Sequence, residues 1–233
     1  VLSDMMSYTF IVRAMIVGGL VALCSALLGV SLVLKRYSMI GDGLSHVAFA
    51  ALTIAVAMNV APLYISTPIV TVAAIILLRL SENSKIKGDS AIALISTVSI
   101  AIGVVVTALT KGMNTDVYSY MFGCILSMSV SDVYMSIALS VVVIILFVFF
   151  YNKIFAVTFD ESFAKATGTK ADAYNMIIAV LTAITIVVGM RIMGTMLISS
   201  LIIFPALISM RNFKTFKSVI ICSAIVSAVC FFL

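Results

Sequence analysis

The chain contains a single histidine, His46, and it stands four residues after an aspartate, Asp42, in the stretch Ser38-Met39-Ile40-Gly41-Asp42-Gly43-Leu44-Ser45-His46-Val47-Ala48. On a helix, positions i and i+4 lie on one face, so the carboxylate and the imidazole point the same way. An aspartate oxygen and a histidine nitrogen form a natural half-site for a first-row divalent metal. Two ligands are too few for a tight site. A two-fold dimer meeting at this helix would supply two of each and complete a four-ligand shell on its axis. Gly41 and Gly43 flank the aspartate and permit an irregular backbone or close helix approach there. The plainer use of the pair is structural: Asp42 caps a helix near a membrane face and His46 bonds a neighbour one turn on.

Other chemistry is sparse. No G-x-x-x-x-G-K-[S/T] phosphate loop occurs, so the chain does not bind ATP in the usual way. One histidine also leaves no H-E-x-x-H motif for an intramembrane metalloenzyme. The cysteines Cys24, Cys124, Cys222 and Cys230 show no C-x-x-C spacing and read as small apolar filler. The 14 methionines form no repeated M-x-x-M ladder, so soft packing explains them better than a copper path.

The elements that must hold the pair are set by solvent. Hydrophobic residues make up 64% of the 233 positions, charged residues only 10%, and mean hydropathy is +1.30. A soluble domain carries roughly 25% charge, and a chain this poor in polar groups cannot cover its own core in water. A bilayer lifts that requirement, and the expected fold is all-α: a polytopic transmembrane helical bundle forming a single domain over residues 1–233. With about 20 apolar residues needed per crossing, eight spans are expected. They are Ile11–Leu34, Met39–Met58, Pro62–Leu80, Ser90–Thr110, Asp132–Tyr151, Asp172–Met190, Ile192–Met210 and Ser218–Leu233. The runs are continuous rather than alternating, which excludes a closed barrel. The chain starts without a methionine and stops inside an apolar run, so trimming at both ends is expected, and no cleavable signal peptide is recognisable.

Charge then orients the spans. The net charge of +5 comes from 14 basic residues scattered between apolar runs, with no basic stripe for nucleic acid. The odd-numbered connections hold Lys35, Arg36, Arg79, Lys85, Lys87, Lys153, Lys165, Lys170, Arg211, Lys214 and Lys217. By the positive-inside bias these connections are cytoplasmic and the N-terminus lies outside. Asp42 is then the one acidic residue well inside a span, where a charge normally faces a cavity, a pore or a partner. The pair falls nearer the cytoplasmic side than the midplane.

Two connections exceed a simple turn. The external one, Lys111–Ser131, holds the apolar Met121–Leu126, able to dip back into the membrane. The cytoplasmic one, Asn152–Ala171, contains a short amphipathic helix: Asp160 and Glu161 at its start suit the helix dipole, Phe163 and Ala164 follow, and Gly168 is placed to end it. Gly41, Gly43, Gly189, Gly194 and Pro205 are candidates for hinges or static kinks. Arg191, between the sixth and seventh spans, is expected at the external headgroups, with reception of an external partner as the alternative.

The chain resembles the permease subunits of bacterial ATP-binding-cassette importers for zinc, manganese and iron. The matching stretches are Leu23–Arg36 (LCSALLGVSLVLKR), Ser38–His46 (SMIGDGLSH), Ser119–Cys124 (SYMFGC) with Ser131-Asp132, Thr158–Gly168 (TFDESFAKATG) and Val188–Pro205 (VGMRIMGTMLISSLIIFP). They cover nearly the whole chain in order, and G-D-x-L-S-H is the most specific. The resemblance implies a multi-pass protein of the bacterial plasma membrane that is a transport subunit and no enzyme. It implies two permease copies, two cytoplasmic ATPases and an extracytoplasmic metal-binding protein, with no permanently bound cofactor. Asp42 and His46 map onto the family's intramembrane metal site, and Asp160–Gly168 onto its coupling helix, which docks on the ATPase. The transported ion is Mn, Zn or Fe, which a shell of two aspartates and two histidines does not distinguish. Family members often continue beyond the point that corresponds to Leu233. The competing readings are an importer of metal chelates or siderophores, with a wide cavity and no ligand pair, and an ion-coupled secondary carrier in which Asp42 and His46 relay protons.

Overall fold

The computed structural model describes residues 9–35, 37, 39–60, 62–83, 88–110, 123 and 130–232. Among them every regular element is a helix: α1 (Thr9–Leu34), α2 (Ile40–Ala57), α3 (Pro62–Asn83), α4 (Gly88–Leu109), α5 (Val130–Phe149), α6 (Tyr151–Phe159), α7 (Glu161–Ala166), α8 (Ala171–Asn212) and α9 (Phe216–Phe232). Helices are what a lipid-embedded chain must form, because each backbone N–H finds its acceptor within the same segment.

Six of these helices are long and apolar enough to cross a membrane. The longest, α8, has 42 residues and is interrupted at Gly194, whose φ of 81° and ψ of 170° are not helical. It therefore comprises two segments, α8a (171–193) and α8b (195–212). With α9, a shorter apolar helix, the expected eight apolar segments each have a helical counterpart. Two details differ from expectation. The break between the sixth and seventh spans falls at Gly194, three residues beyond Arg191. The stretch after Tyr151 is not an open connection but continues as α6, because Ile154 and Val157 stay buried while Phe155 stacks on Phe159 and Phe216.

Two helix ends show why the chain turns where it does. Asn59 takes a left-handed φ of 54° after α2, and the Val60 amide bonds the Ala55 carbonyl at 3.1 Å. Gly168 takes a φ of 80° after α7, and the Thr169 amide bonds the Ala164 carbonyl at 2.9 Å. Both are the glycine- or asparagine-bearing termini that satisfy otherwise orphaned carbonyls.

The core lies between α1 and α8, which share the most extensive packing, with α2, α3 and α9 also against α8. Val17, Val21 and Leu28 of α1 meet a layer that includes Ile186, Met190, Ile198 and Ile202 of α8, all fully buried. Gly29 permits the closest approach, since a β-carbon there would fall 2.0 Å from the Ile202 carbonyl oxygen. In the best spanning window of α8, 78% of positions are buried, against 11% in α4, whose Leu94, Val98, Val105 and Leu109 are exposed. A buried central helix ringed by helices with apolar outer faces is the arrangement a bilayer favours.

Candidate metal path and cytoplasmic coupling site

Asp42 sits in the first turn of α2, and His46 follows one turn later. The Asp42 Oδ2 and His46 Nε2 atoms are 3.7 Å apart. Nearly everything else on α2 is covered: Gly41 packs on Ile202 of α8b, Gly43 on Ile92 of α4, and Leu44, Ala48 and Leu52 are buried. The Asp42 side chain is nevertheless 52% exposed and that of His46 23%. These two, with exposed Met39 one turn before, form the open edge of an otherwise enclosed helix. Asp42 is not itself the cap residue of α2: that position is Met39, which makes no side-chain cap bond, and Asp42 follows within the first turn.

Two ligands bound to one metal at about 2.1 Å each, with a tetrahedral angle, are about 3.4 Å apart. A few tenths of an ångström of side-chain movement would bring Asp42 and His46 into that relation. Among the described residues no group of three or more His, Cys, Asp or Glu side chains comes together. Among the described residues, Asp42 and His46 are thus a pair and not a complete shell. Behind the pair, Ser45 Oγ donates to the Gly41 carbonyl at 2.7 Å and lies 3.2 Å from Ser199 Oγ on α8b. This hydroxyl contact joins the turn of α2 that carries Asp42 and His46 to the segment just past the Gly194 break.

The remaining hinge candidates fall at tight packing positions. Gly189 is helical and lies against Ile198 and Val21, while Pro205 is buried inside α8b. Only Gly194 departs from helical geometry, and a φ of 81° suits glycine alone among the common residues. Gly123, with a φ of 80°, packs against this break: a β-carbon on it would lie 2.5 Å from the Ile192 carbonyl oxygen. The remainder of the Met121–Leu126 segment lies outside the described residues, as does Cys124, whereas Cys24, Cys222 and Cys230 are free thiols.

Arg191 overturns its expectation. Its side chain is only 5% exposed, so it does not anchor at headgroups, and its Nη1 lies 2.8 Å from Asp132 Oδ2 at the start of α5. The approach is that of an ion pair rather than an aligned hydrogen bond, and the Nε atom finds no acceptor. Sequence reasoning missed this pair. The available signal was two opposite charges at span ends assigned to the same membrane face.

At the other end of the bundle, α7 forms as expected. Asp160 caps it, its carboxylate accepting from the Phe163 amide at 2.9 Å, and Gly168 closes it. Ala164 is buried against Val157 and Ala171, while Phe163 points out at 65% exposure, near the equally exposed Phe159. Glu161 lies 3.4 Å from Lys35 and 3.0 Å from Lys165, and Lys165 lies 2.9 Å from Asp172. Burial raises the Glu161 carboxyl, but hydrogen bonds from Lys165 and Asn175 and the charges of Lys35 and Lys165 outweigh it and hold the group below the usual range. Hydrogen bonds to Asp172 and Glu161 hold the Lys165 ammonium above its usual range. Two of the basic connections thus meet at one end of the bundle, as the charge pattern requires.

Residues 7–233 match the ABC 3 transport family. A probable metal transport system membrane protein of Treponema pallidum is 32% identical over 86% of this chain and 75% of its own length. The high-affinity zinc uptake system membrane protein ZnuB of Haemophilus influenzae is 28% identical over 89% and 79%. The manganese transport system membrane protein MntC of Halalkalibacterium halodurans is 26% identical over 87% and 69%. The solved structure of PsaBC from Streptococcus pneumoniae in complex with Fab contains a chain that superposes with a TM-score of 0.86 at 26% identity, covering 98% of this chain and 82% of that one. With the helical bundle, the enclosed α2 and these likenesses together, the chain belongs to the ABC 3 transport family, as a multi-pass membrane permease subunit and not an enzyme.

Proposed function

We propose that this permease is the membrane path of an ATP-driven importer of divalent transition metal ions, Mn, Zn or Fe, and that Asp42 and His46 of two copies hold the ion in transit. The observation that carries the reading is the open edge of α2. A carboxylate and an imidazole 3.7 Å apart stand at an open edge near the start of a helix that is otherwise largely covered. A charge at membrane depth is costly unless it meets a partner. A cation shared with a second copy meets both needs, since it neutralises the carboxylate and completes the ligand count. Relatives named for manganese and for zinc support a metal cargo and leave its identity open.

In this reading an extracytoplasmic metal-binding protein delivers the ion from outside. Cytoplasmic ATPase subunits dock on α7, whose exposed Phe163 offers an apolar anchor, and their closure turns the site inward. The Gly194 break and the Ser45–Ser199 contact lie between the two ends of that path.

The test is uptake by the assembled complex, with Mn, Zn and Fe in competition. Asp42→Ala and His46→Ala are each expected to lower uptake by about 10-fold or more, since loss of an outer-shell partner alone costs about 10- to 100-fold in metal affinity or activity. Uptake at the wild-type rate in both variants, at normal expression, would overturn the proposal.

A further inference from the structure

The helix α7 is attached to the bundle by little apolar contact. Ala164 is its one buried side chain, set against Val157 and Ala171. Charge supplies the rest, and it converges on one carboxylate. Glu161 Oε2 accepts from Asn175 Nδ2 at 3.2 Å and from Lys35 Nζ at 3.4 Å, while Oε1 lies 3.0 Å from Lys165 Nζ. Lys35 immediately follows α1, and Asn175 lies in the opening turns of α8. The Lys35 side chain is only 8% exposed and also donates to Asn175 Oδ1. A single side chain of α7 therefore grips the adjoining ends of the two helices that form the core of the fold.

We infer that Glu161 is a positioning residue for transport: its carboxylate ties α7 to the ends of α1 and α8, so that displacement of α7 is passed to the two core helices, of which α8 packs against α2. The inference rests on the reading of α7 as the ATPase-docking helix. Covalent connection alone does not provide the link to α1. The chain leaves α7 through the left-handed Gly168 and enters α8 by a short turn in which the Thr169 amide bonds the Ala164 carbonyl at 2.9 Å. No covalent route runs directly from α7 to α1. An apolar contact such as that of Ala164 can slide, whereas charge-assisted hydrogen bonds are short-ranged and directional. The Lys35 side chain is little exposed, and Asn175 bonds both it and Glu161, so the three groups hold one another in place. Past the Gly194 break, Ser199 of α8b touches α2 at Ser45, the residue next to His46.

The experiment uses the full complex, permease with its ATPase and binding protein, in proteoliposomes, with manganese ion as the probe. Glu161→Gln keeps the size and hydrogen-bonding capacity of the side chain and removes its charge. The ATPase is expected to remain associated while manganese moved per ATP hydrolysed falls about tenfold, within the range of such couplings. Lys35→Met should do the same, the double variant should be no worse than either single one, and exchanging the charges (Glu161→Lys with Lys35→Glu) should recover part of the loss. A wild-type ratio of transport to hydrolysis in Glu161→Gln overturns the inference, whether or not Lys35→Met folds. A Phe163→Cys variant, cross-linked to the ATPase, separates the two readings. Absence of the cross-link removes α7 as the docking helix. A cross-link that forms in both backgrounds, with an unaltered ratio in Glu161→Gln, removes only the tether.

Discussion

Arg191 and Asp132 show how much a single pair can carry in this chain. The guanidinium is buried at the end of α8a, close to the Gly194 break, and its 2.8 Å contact to Asp132 fastens α5 to that point. Removing one partner of a buried ion pair leaves the other uncompensated, which costs about 3–5 kcal/mol, whereas replacing both by apolar groups can be nearly neutral. Asp132→Asn is accordingly expected to lower the melting temperature of the detergent-solubilised protein substantially, and Asp132→Leu combined with Arg191→Met to recover most of the loss. A melting temperature unchanged in Asp132→Asn would show that the ion pair contributes little. Arg191 was legible as a charge in an apolar run, but its partner lies 59 positions away in the chain and only the packing of α5 on α8 brings them together.

At the scale of an element, α7 is the most exposed to conditions, because a six-residue helix lacks the length to be stable alone. Its attachment depends on Glu161 remaining ionised. The folded carboxyl lies below its ordinary range, so this stabilisation is complete above the ordinary glutamate value of about 4.3 and is lost as the pH falls through the folded value. The raised Lys165 acts in the opposite sense, present at neutral pH and lost only as the pH rises through its folded value, and its exposure keeps its contribution small. Glu161→Gln should therefore lower the melting temperature at about pH 7, and the gap to wild type should close on acidification. A gap that persists unchanged at acid pH would mean that the charge is not what holds α7. The local signals for this helix, an acidic start and a closing glycine, are all in Asp160–Gly168. The buried lysine that receives Glu161 sits 126 residues earlier and carries no local signal of that role.

For the whole molecule, the decisive feature is that the proposed site is incomplete in one chain. The described residues bring together two candidate ligands, and the edge of α2 that bears them is open. If a second copy covers this edge, Met39, exposed one turn before Asp42, lies near its own symmetry mate. A Met39→Cys variant of the assembled importer is then expected to form an oxidant-dependent cross-link between permease copies, and one that fails to cross-link while transporting normally would place the interface elsewhere. What the amino-acid sequence determined by itself was the helical membrane fold, its approximate segments and the shared face of Asp42 and His46, because hydropathy and the 3.6-residue period are local properties read along the chain. Tertiary structure alone decided that α2 is enclosed except at that edge, that the seventh segment begins at Gly194, and that Arg191 and Lys35 are buried against Asp132 and Glu161. Those outcomes depend on which helices pack together, and the energy of a buried charge is set by a partner that proximity in the sequence does not reveal.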